Sequence, residues 1–202
     1  MNVYDLKKRL FADWSQELLA TKLKTAWNLA LDHLTGVGYA TAPASTKYHL
    51  CVQGGLLIHS VCVTEQALRI HNVTPLKIPR EWILAAGLLH DVGKAGMLTD
   101  EGYEPRYKHN PKYNPQGQSK WNAPYEWSPL SLEFGTRDLS GLLVARWGFP
   151  WPVVQAVLVH DGAYVPANAE YSHKGHPLSN LLMTADTLHA QTFETKDGII
   201  LF

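Results

Sequence analysis

The sequence predicts an all-α fold, a compact helical bundle carrying one long aromatic loop. Apolar residues recur at helical spacing through most of the 202 residues, the signature of helices that bury one face. No strand–helix–strand alternation of the kind that builds a parallel sheet interrupts them. Glycines and prolines fall where those segments begin and end. A hydrophobic share of 46% is ample for a single core.

The first segment, Asp5 to His33, carries two apolar stripes. One is Leu6, Leu10, Trp14, Leu18 and Leu19; the other is Leu23, Trp27, Ala30, Leu31 and Leu34, with a break near Thr21. Gly36 and Gly38 stop it. Pro43 forbids a regular helix through Ala40–Tyr48. Gly54-Gly55 opens a third helix to about His71, and Pro79 opens a fourth, Arg80 to Val92, where its missing N–H costs nothing. From Leu98 to Pro129 the chain turns to prolines, tyrosines and tryptophans. That is too long for an ordinary connection, and it reads as a functional lid or binding loop. Three more helices are expected: Leu130 to Trp147, Pro152 to His160 and Pro177 to Gln191. The apolar ending Gly198–Phe202 should dock on the body as a strand. One domain over 1–202 is expected, with N-terminal helices at 5–35, a core at 43–191 and the loop at 98–129.

Acidic and basic side chains balance, 18 against 18. This argues against a basic surface as the main source of nucleic-acid affinity. The first residues contain no apolar signal core, and no apolar run reaches membrane-spanning length. Cys51 and Cys62 are too few for a disulfide framework and read as free thiols of a reducing cytoplasm. The expected protein is cytoplasmic and independent of membranes.

Ten histidines remain to be accounted for. His59 shares a helical face with Leu56, Cys62, Val63 and Ile70, where an imidazole must find a partner. His90-Asp91 closes the run Ile83–Leu89, and a carboxylate at a helix C-terminus opposes the helix dipole unless a cation stands near. Asp186 lies on the face of Leu182 and Met183, with no Arg or Lys beside it in that helix. Buried aspartates are paired or bound to metal. Two imidazoles and two carboxylates form a nitrogen–oxygen donor set, suited to Mn, Fe, Co, Ni or Zn better than Ca or Mg, with positions left open for water and substrate. A second dipeptide, His160-Asp161, also ends an apolar helix, and by pattern alone either could be the metal pair.

The order His59, His90-Asp91, Asp186 resembles the H…HD…D signature of HD-domain metal-dependent phosphohydrolases. Gly54-Gly55-Leu56-Leu57-Ile58-His59 is similar to the opening of many members, and Leu88-Leu89-His90-Asp91-Val92-Gly93-Lys94 to their L-L-H-D-x-x-K. Pro43–His49 resembles a branch of phage-associated hydrolases and, more distantly, HD-type 3′-to-5′ exoribonucleases, which places the protein in a bacterium or a phage-infected host. The resemblance implies His59, His90, Asp91 and Asp186 as metal ligands. It favours His90-Asp91 over the second dipeptide, because Lys94 follows at the family's position. Members with two metals use a histidine like His160 and another before the following helix. Phe134 stands there in this chain, so one ion is expected, with His160 left for substrate or proton transfer.

The resemblance implies hydrolysis of a phosphate ester or anhydride. Asp91 would orient or deprotonate water, Lys94 would meet a phosphate oxygen and His160 would protonate the leaving oxygen. Lys47, His49 and Arg137 are further candidates for substrate contact. The expected substrate is a nucleoside mono- or triphosphate, with aromatics of the 98–129 loop available for stacking. The alternatives are a 3′-to-5′ exonuclease, a cyclic-nucleotide phosphodiesterase and, in another class, a metal-binding regulatory module without turnover. Balanced charge disfavours long polynucleotides without forbidding them, and exposed aromatics would suit a homo-oligomer.

Overall fold

The computed structural model describes residues 2–99, 102–117, 122–129, 135–162, 175–195 and 197–200. Two helices lead: α1, Val3–Leu19, and α2, Lys24–Gly36. The Asn2 side chain accepts the Asp5 N–H at 2.8 Å and caps α1. Between the helices, the Thr21 hydroxyl accepts the Leu23 N–H at 3.1 Å and donates to the Leu18 carbonyl at 2.8 Å. The expected break therefore lies where a side chain competes for backbone partners.

The bundle is organised around α3, Gly55–Asn72, in which every residue from Gly55 to Thr64 is buried. It packs against α1, against α4, Arg80–Leu89, and against the last helix. Every residue of α4 from Ile83 to Leu89 is buried too. A Cβ on Gly87 would stand 2.4 Å from Thr64 Oγ1 and 3.0 Å from Thr64 Cα. Only a missing side chain lets α4 come this close to α3. Among the described residues three further helices join the body: α5, Thr136–Arg146; α6, Trp151–Val159; and α7, Pro177–Thr192. They close one apolar cluster that runs from Trp14 and Trp27 through Leu84 and Leu88 to Val157 and Leu182.

The fold is mostly α, as the helical spacing predicts, with some boundaries displaced. Helix α4 stops at Leu89 rather than Val92. His90 and Asp91 form a turn, followed by a short 3-10 helix, Val92–Lys94. Helix α5 begins at Thr136; Leu130–Phe134 lie outside the described residues, as does Trp121. The segment read as a functional lid or binding loop contains, together with the two residues before it, two antiparallel hairpins. Strand β1, Gly96–Thr99, pairs with β2, Gly102–Pro105, setting Leu98 opposite Tyr103. Strand β3, Tyr107–His109, pairs with β4, Tyr125–Trp127, setting Tyr107 opposite Trp127. Aromatic side chains suit such cross-strand positions.

Past α7 the chain turns back through an antiparallel bridge between Glu194 and Ile199. The Leu50 N–H donates to the Thr195 carbonyl at 2.7 Å. Ile199 packs on a small cluster of Ala44, Leu50, Ile58 and Cys62. The expected docking of the apolar tail thus takes the form of a bridge. Both cysteines are buried thiols outside any disulfide, and Cys51 donates to the Thr46 carbonyl at 2.9 Å. No helix of the described residues is long and apolar enough to cross a membrane.

Candidate metal centre

The loop before α3 lies directly on the helix it precedes. Gly54 takes a left-handed conformation, φ 79°, and a Cβ on Gly55 would fall 2.0 Å from the Leu50 carbonyl oxygen. The double glycine is what lets this loop fold over the start of α3. In doing so it lays the His49 ring beside that of His59, 5.2 Å between centroids.

His90 and His160 are each the first residue past a helix, and each is held in the same way. His90 Nδ1 donates to the Gly87 carbonyl at 2.8 Å, and His160 Nδ1 to the Val157 carbonyl at 2.7 Å. A carbonyl only accepts, so in both rings Nδ1 carries the proton and Nε2 faces inward. His59 sits inside α3, and its Nδ1 meets Glu194 Oε1 at 2.8 Å. Its Nε2 faces the same centre, 3.1 Å from His90 Nε2, 3.2 Å from Asp186 Oδ1 and 3.3 Å from Asp91 Oδ2. His160 Nε2 is 3.4 Å from Asp91 Oδ1. Lys94 donates to Asp91 Oδ2. All three imidazoles and Asp91 are buried.

Each charge here is shifted by burial and by its neighbours. Burial presses the His90 imidazole down to about 4, although Asp91 and Asp186 pull upward. Burial also opposes protonation of His59 and His160, but carboxylates outweigh it. His59 rises well above its usual value through Glu194, Asp186 and Asp91, and His160 rises to about 9 through Asp91. Burial would raise the Asp91 carboxyl, yet Lys94 and the histidines hold it well below the carboxylate range; Asp186 is drawn to about 2 by His59 and His90. Burial likewise disfavours the Lys94 ammonium, and Asp91 outweighs it, leaving the lysine raised.

Two Nε2 atoms 3.1 Å apart, flanked by two carboxylates, repel unless a proton or a cation lies between them. A divalent ion suits the set: the donors are nitrogen and oxygen only, and each imidazole is already bonded through its other nitrogen, as metal-ligating histidines are. Among the described residues, three overlapping groups have ligand atoms within 4.8 Å of one another: His59, His90 and Asp91; His90, His160 and Asp186; and His49, His59 and Glu194.

Beside this cluster opens a cavity of about 370 Å³, lined among others by Asp91, Lys94, Tyr107, Trp127, Arg137 and Asp161. Arg137 pairs with Asp138 at 3.0 Å on its rim. Trp127 is 56% exposed, with the Tyr107 ring edge-on at 5.0 Å and the Arg106 guanidinium 5.4 Å from its centre. Of the residues singled out from sequence, His59, His90, Asp91, Asp186, His160 and Lys94 converge, and Arg137 lines the adjoining cavity. His49 stands behind His59, and Lys47 lies over the exposed Tyr48 ring at 5.0 Å. Phe134, on which the expectation of one ion rests, is outside the described residues. Sequence reasoning missed Glu194 and also His189, whose Nδ1 reaches the same Glu194 oxygen at 2.9 Å.

The sequence profile of the HDOD domain, an HD-related family, matches residues 44–163. The chain belongs to the HDOD domain family. The HD-type reading of the sequence is thereby borne out. The HDOD segment includes His59, His90, Asp91, Lys94 and His160; Asp186 and Glu194 come after it. The chain is also similar to a dihydroneopterin 2′,3′-cyclic phosphate phosphodiesterase of Methanocaldococcus jannaschii, 38% identical over 64 residues. That stretch covers 30% of this chain and 26% of the relative. No solved structure matches.

Proposed function

We propose that the protein is a metal-dependent phosphohydrolase acting on a nucleotide, with His59, His90, Asp91 and Asp186 holding one divalent ion of the Mn, Fe, Co, Ni or Zn kind. The observation that carries this reading is the convergence of imidazole Nε2 atoms and two carboxylates next to a cavity that also contains Lys94 and Arg137. When bound, such an ion supplies positive charge beside a phosphoryl oxygen and makes water more acidic. Asp91 orients the attacking water, whose proton passes to solvent as its oxygen bonds to phosphorus. The phosphorus–oxygen bond to the leaving group breaks, and His160, whose Nε2 lies 3.4 Å from Asp91 Oδ1, gives that oxygen its proton. Lys94 and Arg137 face the phosphate oxygens, Lys94 as a point charge and Arg137 as a planar fork.

Trp127 and Tyr107 stand at the rim, where a base can stack. A nucleoside mono- or triphosphate fits this arrangement. A cyclic phosphodiester gains weight from the similarity to a 2′,3′-cyclic phosphate phosphodiesterase, and with it the cyclic-nucleotide phosphodiesterase branch. HDOD domains are not always catalytic, so a regulatory metal-binding module is the reading of another class. The intact donor set beside an open cavity supports turnover over that role.

The test is hydrolysis of deoxynucleoside mono- and triphosphates, 2′,3′- and 3′,5′-cyclic nucleotides and short RNA, each with Mn, Co, Ni or Zn. Asp91→Ala serves as the inactive control. Turnover of one class that Asp91→Ala abolishes is expected; silence across the panel would leave only the regulatory reading. Metal analysis of the loaded protein should give one equivalent per chain, and two would overturn the single-ion assignment.

A further inference from the structure

We infer that Glu194 is a positioning residue of the metal centre, brought across by the returning tail to fix the His59 imidazole with Nε2 turned toward the ion. The inference rests on the reading of His59 as a metal ligand.

The reason lies in where each histidine sits. His90 and His160 stand at helix ends, and each Nδ1 finds a carbonyl three residues back along its own chain. His59 lies inside α3, in its second turn, where the carbonyls of the preceding turn are already engaged by the helix. An imidazole there therefore needs an acceptor from elsewhere, and Glu194 supplies it from 135 residues away. The Glu194 side chain has no exposed surface. One of its oxygens takes two Nδ1 donors, His59 at 2.8 Å and His189 at 2.9 Å, and the other faces His49 Nε2 at 3.9 Å.

The tail is built to hold this carboxylate. The Thr195 N–H donates to the Gly198 carbonyl at 2.8 Å and the Ile200 N–H to the Phe193 carbonyl at 2.7 Å, while the Leu50 N–H ties Thr195 to the loop before α3. Docking alone would not call for a buried carboxylate, because Ile199 and the Leu50–Thr195 bond already anchor the strand. Burying a carboxylate is costly unless it is paired. Facing an imidazole, it fixes the tautomer and makes Nε2 a stronger donor to a metal. Glu194 lies outside the HDOD segment, so this clamp belongs to the part of the chain that follows it.

The experiment compares zinc affinity, by competition with a chromophoric chelator, in the full-length wild type, Glu194→Gln and Glu194→Leu. Melting of the metal-free proteins is followed in parallel. Loss of an outer carboxylate that orients a ligating histidine lowers metal affinity about 10–100-fold, so Glu194→Leu should fall in that range. Glu194→Gln, which keeps an acceptor but no charge, should fall between it and wild type. A merely structural carboxylate would lower the melting temperature and leave zinc affinity unchanged in the folded variants, and that result overturns the inference. If Glu194→Leu does not fold, the near-isosteric Gln variant decides: weaker zinc binding supports the clamp, and wild-type affinity overturns it. A wild-type protein that binds neither zinc nor Mn, Fe, Co or Ni would instead bring down the metal reading itself.

Discussion

At the scale of single residues, the protein uses burial to set the charge of its imidazoles, and His33 shows what that costs outside the metal cluster. The ring packs 5.3 Å from that of Trp147. Burial lowers its pKa, the Arg146 charge adds to this and the Gly96 carbonyl opposes it. The folded state therefore keeps His33 neutral where the unfolded chain would take up a proton. Its contribution to stability is full above the unfolded value of about 6.5 and is lost as pH falls below it, because the unfolded state then binds more protons. Wild type should lose melting temperature between neutral and mildly acidic pH more steeply than His33→Gln; parallel pH profiles would refute the assignment. The same physics explains which site residues were legible in the sequence. His59, His90, Asp91 and Asp186 stood out because each interrupts an apolar face and so requires a partner. Glu194 sits in a polar stretch, Thr192–Asp197, that reads as solvated tail, and its burial comes only from a contact distant in sequence.

At the scale of elements, the site depends on how closely α3 and α4 approach. Gly87 sets that distance against Thr64, and the Gly87 carbonyl also anchors His90. Gly87→Ala would push a methyl into the Thr64 backbone and side chain. Overpacking of this kind costs about 1–3 kcal/mol. The variant should melt lower and, by drawing His90 away from His59, bind zinc more weakly; wild-type values in both measurements would show that the contact sets neither. Long helices were readable because their period repeats several times. The hairpins of the aromatic segment were not, because strands of three or four residues show too little alternation to distinguish them from a loop. The end of α4 was misplaced for a related reason: the apolar pattern continues into Val92, while the backbone turns at His90 and Asp91 to aim both side chains inward.

At the scale of the whole molecule, the cluster gathers side chains from α3, from the turns after α4 and α6, from α7 and from the tail. An ion bound there would be held by the folded chain alone, so it should stabilise the fold by mass action. At a free concentration about 100-fold above Kd the gain is about 2.7 kcal/mol. Zinc or manganese should therefore raise the melting temperature in a concentration-dependent way, a chelator should reverse it, and Asp91→Ala should show neither effect. A metal-independent melting temperature would mean that the cluster holds no ion. The tail adds an order of events to this picture. Ribosomes deliver His59 early and Glu194 135 residues later. Until then a nascent chain can fold α3 but lacks the Glu194 acceptor for its His59 imidazole, which is free to exchange between its two tautomers. Ion capture would then wait until Glu194 has been made, and a chain cut short of that residue would compete poorly for the metal of its cell.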